Sequence, residues 1–273
     1  MTHLKTKQGI EWNYELDGQG EPIIFLHGWG GNFRLWSGQV GYFSGSYKVM
    51  QLDLPGHGQT SWKKMSLSLM ARDLEEVAEI LGFQQINVVG SSLGGLIAIQ
   101  WFDLFPKRFK RMALVGALPK FLHSADYPYG LELEQLKKLD GQLETDYPAI
   151  VNIFFRSLFT RQERQTSRFK YFARFEKNEA VPRKEALREF LNVLEKEDLR
   201  KTFDKFNQHS IPLQILSGAE DPICSKEAVS YLQRELPPAR VKFFKDCGHF
   251  PFLTKPLEFN EALGYFLNDS KIN

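Results

Sequence analysis

The sequence predicts an α/β protein: a mostly parallel central sheet with helices on both faces, interrupted by a helical insertion. Two observations carry that prediction. Short apolar runs at 23–26, 49–52, 86–89 and 112–115 alternate with helix-period segments over residues 1–118. Strand-like runs then vanish from 119 to 210 and resume at 213–216 and 241–244. A core formed by 1–118 and 211–273, with 119–210 as a helical lid, explains this rhythm better than two consecutive domains.

Each element has its own signal. Residues 4–7 and 10–16, around Gly9, predict an antiparallel hairpin at the sheet edge. Ile23-Ile24-Phe25-Leu26 reads as a buried strand ending in glycine, and Val49-Met50-Gln51-Leu52 as another, stopped by Asp53-Leu54-Pro55-Gly56. Helical period over 66–81 puts Leu69, Leu74, Val77, Ala78 and Leu81 on one face, and Gly82 ends the helix. The strand at 86–89 feeds a helix over 93–105 that Pro106 terminates. In the insertion, 131–143, 147–159, 161–175 and 184–206 read as helices rich in charge and aromatics. Helices near 225–236 and 257–267 complete the core.

Composition narrows the function. The chain of 273 residues can bury one sizeable core, and 42% hydrophobic with 25% charged residues excludes disorder and fibrous rods. An aromatic share of 14%, with 23 Phe, suits an apolar pocket. Lys+Arg 35 against Asp+Glu 33 argues against a nucleic-acid binder driven by bulk charge. The uncharged stretch 82–102 holds four glycines with Gln, Asn and Ser, so no membrane span is expected. Met1 to Lys7 lacks an apolar signal region, which leads to the expectation of a cytoplasmic protein. Cys224 and Cys247 are expected as reduced, buried thiols. No Cys/His cluster has metal spacing, so neither a metal nor an organic cofactor is expected; a monomer is.

The sharpest chemical signal is Gly90-Ser91-Ser92-Leu93-Gly94-Gly95, between a strand and a helix. That is the context of a G-x-S-x-G nucleophile elbow, in which Ser92 projects its hydroxyl and the flanking glycines leave room for the turn. A serine needs a base, and the chain offers His3, His27, His57, His123, His209 and His249. In proteins with this elbow the acid and then the histidine follow the serine, which leaves the last three. His249 lies after the last strand, at the carboxyl edge of the sheet where ligands bind; His123 and His209 mark the ends of the insertion. The acid should follow the strand at 213–216, where Glu220 and Asp221 share one turn. Asp221 is favoured because the Asp-Pro turn fixes its side chain. An oxyanion needs amide donors, and the Leu93 amide and the Trp29 amide of His27-Gly28-Trp29-Gly30-Gly31 are the candidates. That loop lacks both G-x-G-x-x-G and a G-K-[ST] ending, so it is not a phosphate cradle. His57 reads as a turn residue and not a base.

Together these segments, with Asp53-Leu54-Pro55-Gly56-His57-Gly58, resemble the α/β-hydrolase superfamily along nearly the whole chain. Within it the chain is most similar to the methyl ester esterases of biotin synthesis that act on pimeloyl-[acyl-carrier protein]. The similar features are His27-Gly28-Trp29-Gly30, Leu118-Pro119, the insertion length, Phe252 and Pro256-Leu257-Glu258-Phe259. The resemblance implies a triad of Ser92, Asp221 and His249 and an oxyanion hole from Trp29 and Leu93. It also implies an insertion helix lining the substrate with Phe154, Phe155, Arg156, Ser157 and Leu158. The family docks its carrier through arginines of the insertion, but Ala149 and Ile153 stand where two were sought.

The insertion carries its own charge run: Arg156, Arg161, Arg164, Arg168, Lys170 and Arg174 against Glu163. Spacing of three to four puts several on one helical face, either a solvated surface or a dock for an acidic carrier. Three readings of function follow. The first is an esterase for a carrier-bound acyl methyl ester. The second is another α/β hydrolase, such as a general short-chain carboxylesterase, a lysophospholipase or a menaquinone-pathway enzyme. The third is a non-catalytic binding protein on the same fold.

Overall fold

The computed structural model describes residues 2–176 and 180–269, without the side chains of 171 and 174–176. Eight strands form one sheet: β1 (Thr2–Lys5), β2 (Glu11–Asp17), β3 (Pro22–Leu26), β4 (Lys48–Leu52), β5 (Ile86–Ser91), β6 (Phe109–Val115), β7 (Leu213–Gly218) and β8 (Arg240–Phe244). Their spatial order is β1-β2-β4-β3-β5-β6-β7-β8. Only β2 runs against its neighbours, pairing antiparallel with β1 and β4, so the expected edge hairpin is present. From β4 through β3 to β8 every pairing is parallel. Such strands are covered on both faces, which is why Ile23–Leu26 and Ile86–Val89 read as unbroken apolar runs.

Helices α1 (Ser37–Phe43), α2 (Leu67–Ile80) and α3 (Leu93–Leu104) belong to the first part of the core. Between β6 and β7 come α4 (Leu133–Thr145), α5 (Ala149–Ser157), α6 (Ser167–Glu176), α7 (Lys184–Lys196) and α8 (Phe203–His209). The chain closes with α9 (Lys226–Glu235), α10 (Pro251–Thr254) and α11 (Pro256–Asn268). Ser66 caps α2, its hydroxyl accepting from the Leu69 amide at 3.2 Å, and Gly82 ends the helix with φ of 72°. α3 is buried along ten consecutive residues from Leu93 to Phe102, sandwiched between the sheet and α2. Among the described residues no helix is long and apolar enough to cross a membrane.

Three details differ from expectation. Leu74, Val77 and Ala78 are buried as expected, but Leu69 is 40% exposed and Leu81 only half-buried; Leu67, Met70 and Ala71 complete the apolar stripe of α2 instead. The helix expected over 161–175 begins only at Ser167, because Thr166 is extended and a short 3-10 turn, Glu163–Gln165, precedes it. The helix expected over 184–206 breaks after Lys196. There Glu197 is extended, Asp198 bridges to Lys120, and the Leu199 amide donates to Pro119 O at 2.8 Å. Pairing with the start of the insertion outcompetes helix continuation, and Arg200 locks the break by gripping Asp198 and Asp126.

Candidate active site

The carboxyl ends of β3, β5, β6, β7 and β8 deliver five loops to one edge of the sheet, where open α/β folds bind ligands. β5 turns into α3 through Ser92, whose φ of 53° and ψ of −119° lie outside the usual regions for a non-glycine residue. Strain of this kind at a strand-to-helix turn pushes the hydroxyl out of the backbone envelope. The turn is possible only because its neighbours lack side chains. A Cβ at Gly90 would sit 2.6 Å from Gly94 O, and one at Gly94 would sit 2.5 Å from both Leu26 O and His27 O. The Ser92 amide donates to Val115 O at 2.9 Å, tying the turn to the end of β6.

Of the histidines, the structure brings only His249 together with an acid and with Ser92 at one cavity. His249 is 1% exposed, and its Nδ1–H donates to Asp221 Oδ2 at 2.8 Å. That bond leaves Nε2 free to accept. The other Asp221 oxygen, Oδ1, accepts from the Ile223 and Cys224 amides at 2.8 and 3.0 Å, so the carboxylate is held at both ends. Glu220, its neighbour in the turn, is exposed. His123 lies beside Glu132 at the surface, and the His209 ring rests against Phe102.

Leu93 follows Ser92 at the start of α3, and the loop after β3 packs against the elbow: a Cβ at Gly28, the residue before Trp29, would lie 3.1 Å from the Ser92 Cβ. The Trp29 loop is held from below by two buried histidines whose rings lie 5.1 Å apart. His27 Nε2 accepts from the Leu54 amide at 3.0 Å while its Nδ1–H donates to Gly28 O at 2.8 Å. His57 Nε2 accepts from the Gly30 amide at 3.2 Å. Burial lowers His27 to about 4 and His57 well below the ordinary value, so both are neutral props. His57 is in a turn, as expected, but it is also a support for the loop. From above, Trp29 Nε1–H donates to Leu187 O of α7 at 2.9 Å, which fastens the loop to the lid.

Ser92, Trp29 and His249 open on one apolar slot walled by Phe121, Phe154, Leu158 and Ile223, with Phe250 and Phe252 behind the histidine. Phe154 meets the Trp29 ring edge-on at 5.1 Å, and Phe155 stacks on Phe250 at 4.5 Å. Phe252 stacks on Trp36 at 4.0 Å and so anchors the histidine loop in the core. The slot is nearly closed: the space that the centre of a water molecule can occupy is about 20 Å³. Beyond Phe154, Leu158 and Ile223 lies an outer cleft of about 470 Å³ between α4 and α5, mostly apolar. It includes Ser157 and the 59% exposed Ile153. Arg156, Arg161 and Arg168 are exposed. Arg164 is half-buried, and its Nη1 donates to Arg156 O and Phe159 O at the end of α5. The Arg174 side chain falls outside the described residues.

Sequence reasoning missed Gly116. It follows β6 with φ of 53°, and a Cβ there would lie 2.9 Å from His249 Nδ1 and 3.0 Å from Asp221 Oδ2. The available signal was a glycine directly after an apolar strand run, at the sheet edge that carries the other loops.

Comparison with known proteins agrees with this architecture. The alpha/beta hydrolase fold family matches residues 21–256. A pimeloyl-[acyl-carrier protein] methyl ester esterase from Nitrosomonas europaea is 32% identical, covering 90% of this chain and 95% of that protein. One of the same name from Aeromonas hydrophila is 29% identical, covering 92% and 96%. An esterase structure from Exiguobacterium antarcticum superposes with a TM-score of 0.89 at 23% identity, covering 98% of this chain and 99% of that one. With its sheet order, its strained serine elbow and these relatives, the chain belongs to the alpha/beta hydrolase family.

Proposed function

We propose that the chain is a serine carboxylesterase that cleaves the methyl ester of an acyl chain carried on an acyl-carrier protein, the substrate named for its relatives. The observation that carries the proposal is that His249, hydrogen-bonded to the buried Asp221, lines the same apolar slot as Ser92. His249 Nε2 takes the Ser92 proton as Oγ attacks the ester carbonyl, and Asp221 holds the ring and stabilises the imidazolium. The tetrahedral oxyanion is received by the Trp29 and Leu93 amides. Its collapse expels methanol, which takes the proton back from His249. Water then attacks the acyl-enzyme by the same route, releasing the carboxylic acid and restoring Ser92.

An apolar slot suits a neutral ester. Among the described residues that line it, His249 is the only titratable one, so none of them offers a Lys or Arg cation to hold the carboxylate product. An acyl chain reaching Ser92 would leave through the outer cleft, with its carrier above the exposed Arg156, Arg161 and Arg168. The near-closed slot favours a second reading, a general short-chain esterase. The test is hydrolysis of methyl-pimeloyl-[acyl-carrier protein] beside p-nitrophenyl butyrate. Turnover of both, lost by at least about 10³-fold in Ser92→Ala, is expected. Turnover of the small ester alone would favour the second reading.

A further inference from the structure

The insertion is fastened to the histidine loop at two adjacent peptides. The His249 amide donates to Leu158 O at 2.9 Å, just past the end of α5. The Gly248 amide donates to Oε2 of Glu163 at 3.0 Å. Glu163 was the one acid in a run of basic residues, and a solvated side chain would be the ordinary expectation for it. Instead it is 5% exposed. Its Oε2 also accepts from the Thr160 amide at 2.7 Å, and the Glu163 amide accepts support in return by donating to Thr160 Oγ1 at 3.1 Å. The carboxylate therefore joins the insertion to the residue preceding His249 across 85 positions of sequence.

A buried carboxylate is an expensive choice for a loop clasp. Its other oxygen, Oε1, has no hydrogen-bond partner among the described residues. Close by is the Cys247 thiol, which burial pushes up, with the Glu163 carboxylate adding to the shift. The approach leaves no tolerance at Gly248: a Cβ there would lie 2.9 Å from Glu163 Oε2 and would run into Leu158 O. Two charge-assisted bonds to backbone amides fix direction better than neutral ones. One of the two holds the Gly248 amide, one residue before the imidazole whose Nδ1 must stay on Asp221.

We infer that Glu163 is a positioning residue: through the Gly248 amide it sets the seat of His249, so the catalytic geometry depends on the insertion being docked. This rests on the proposed role of His249 as the base. Two readouts separate positioning from simple stabilisation. One is kcat against KM for p-nitrophenyl butyrate, and the other is the low-field proton resonance of the His249 Nδ1–H bond to Asp221.

Glu163→Ala should lower kcat by about tenfold to a hundredfold, as small displacements of a catalytic group do, with KM within about twofold. The low-field resonance should shift or broaden. Glu163→Gln, which keeps an oxygen acceptor at the same reach, should restore kcat to within about threefold and bring the resonance back. If Glu163→Ala does not fold, Glu163→Asp, one methylene too short to hold both amides, is read in the same way. A native kcat and an unmoved resonance in the alanine or aspartate variant would overturn the inference, even with a lowered melting temperature. Ser92→Ala, assayed alongside, keeps the two questions apart. Activity surviving in it overturns the serine mechanism, whereas its loss beside a native-like Glu163→Ala overturns the positioning role alone.

Discussion

Replacing Gly116 by alanine tests whether the Asp221–His249 geometry sets the rate. The new Cβ would stand 2.9 Å from Nδ1 and Cε1 of His249 and 3.0 Å from Asp221 Oδ2. Comfortable contact is roughly 3.5 Å, so the imidazole must retreat by about 0.6 Å. That movement opens the 2.8 Å bond to Asp221 past the range of a good N–H···O bond and turns Nε2 away from Ser92. Misplacement on this scale should lower kcat by about 10²-fold, equivalent to about 2.7 kcal/mol of transition-state stabilisation. Holding alanine at φ of 53° adds roughly 1–2 kcal/mol of strain, so the melting temperature should fall by about 5 °C while the fold survives. The assay is steady-state hydrolysis of p-nitrophenyl butyrate beside a thermal melt. A variant within threefold of the native kcat would refute the reasoning, because it would show that the pair can move without consequence.

Three further outcomes are expected. Asp221→Asn should lower kcat by about 10³- to 10⁴-fold, while Glu220→Gln, at an exposed position, should stay within about twofold; the reverse ranking would transfer the acid role to Glu220. Acid should destabilise the chain, because the unfolded state protonates His27 and His57 below about pH 6.5 whereas burial keeps the folded histidines neutral, His27 down to about 4. Stability therefore falls as pH drops through that window, His27 alone contributing about 2 kcal/mol between pH 7 and 5. Urea midpoints at the two values check this, and a His27→Gln variant with an unchanged slope would contradict it. Reversing Arg161 and Arg168 to Glu should raise KM for a carrier-bound ester about tenfold at low salt and leave a free ester untouched; equal effects on both substrates would leave these arginines as a solvated face.

What could be read from the sequence divides along local and distant interactions. The elbow was legible because strand, glycine spacing and helix are all within a few residues of Ser92, and the steric reasons for Gly90 and Gly94 are local. The strands were legible because a doubly covered parallel sheet leaves continuous apolar runs. Asp221 and His249 could be placed by the sheet edge they follow, although their 2.8 Å bond spans 28 positions. The lid was read correctly as helical and wrongly in its joints. The break after Lys196 depends on pairing with Pro119 and Lys120, and no periodicity within 184–206 announces it. Glu163 was hidden for the same reason: its partner Gly248 is remote in sequence, and a lone acid among arginines looks solvated. Arg164 illustrates the converse, a residue counted with a surface patch that is half-buried and whose Nη1 donates to two carbonyls of its own segment.

The tight inner slot has a kinetic consequence. Phe154, Leu158 and Ile223 line both slot and cleft, and if they have to part before an acyl chain can pass between the two, binding draws on the opened fraction of molecules. Apparent affinity is then the intrinsic affinity multiplied by the fraction of molecules standing open, so an opening populated at about 1% weakens binding about a hundredfold. Any covalent inhibitor carrying a long tail would inherit that tax. Its inactivation rate would plateau at the opening rate however much reagent is added, while a reagent small enough for the slot would keep accelerating.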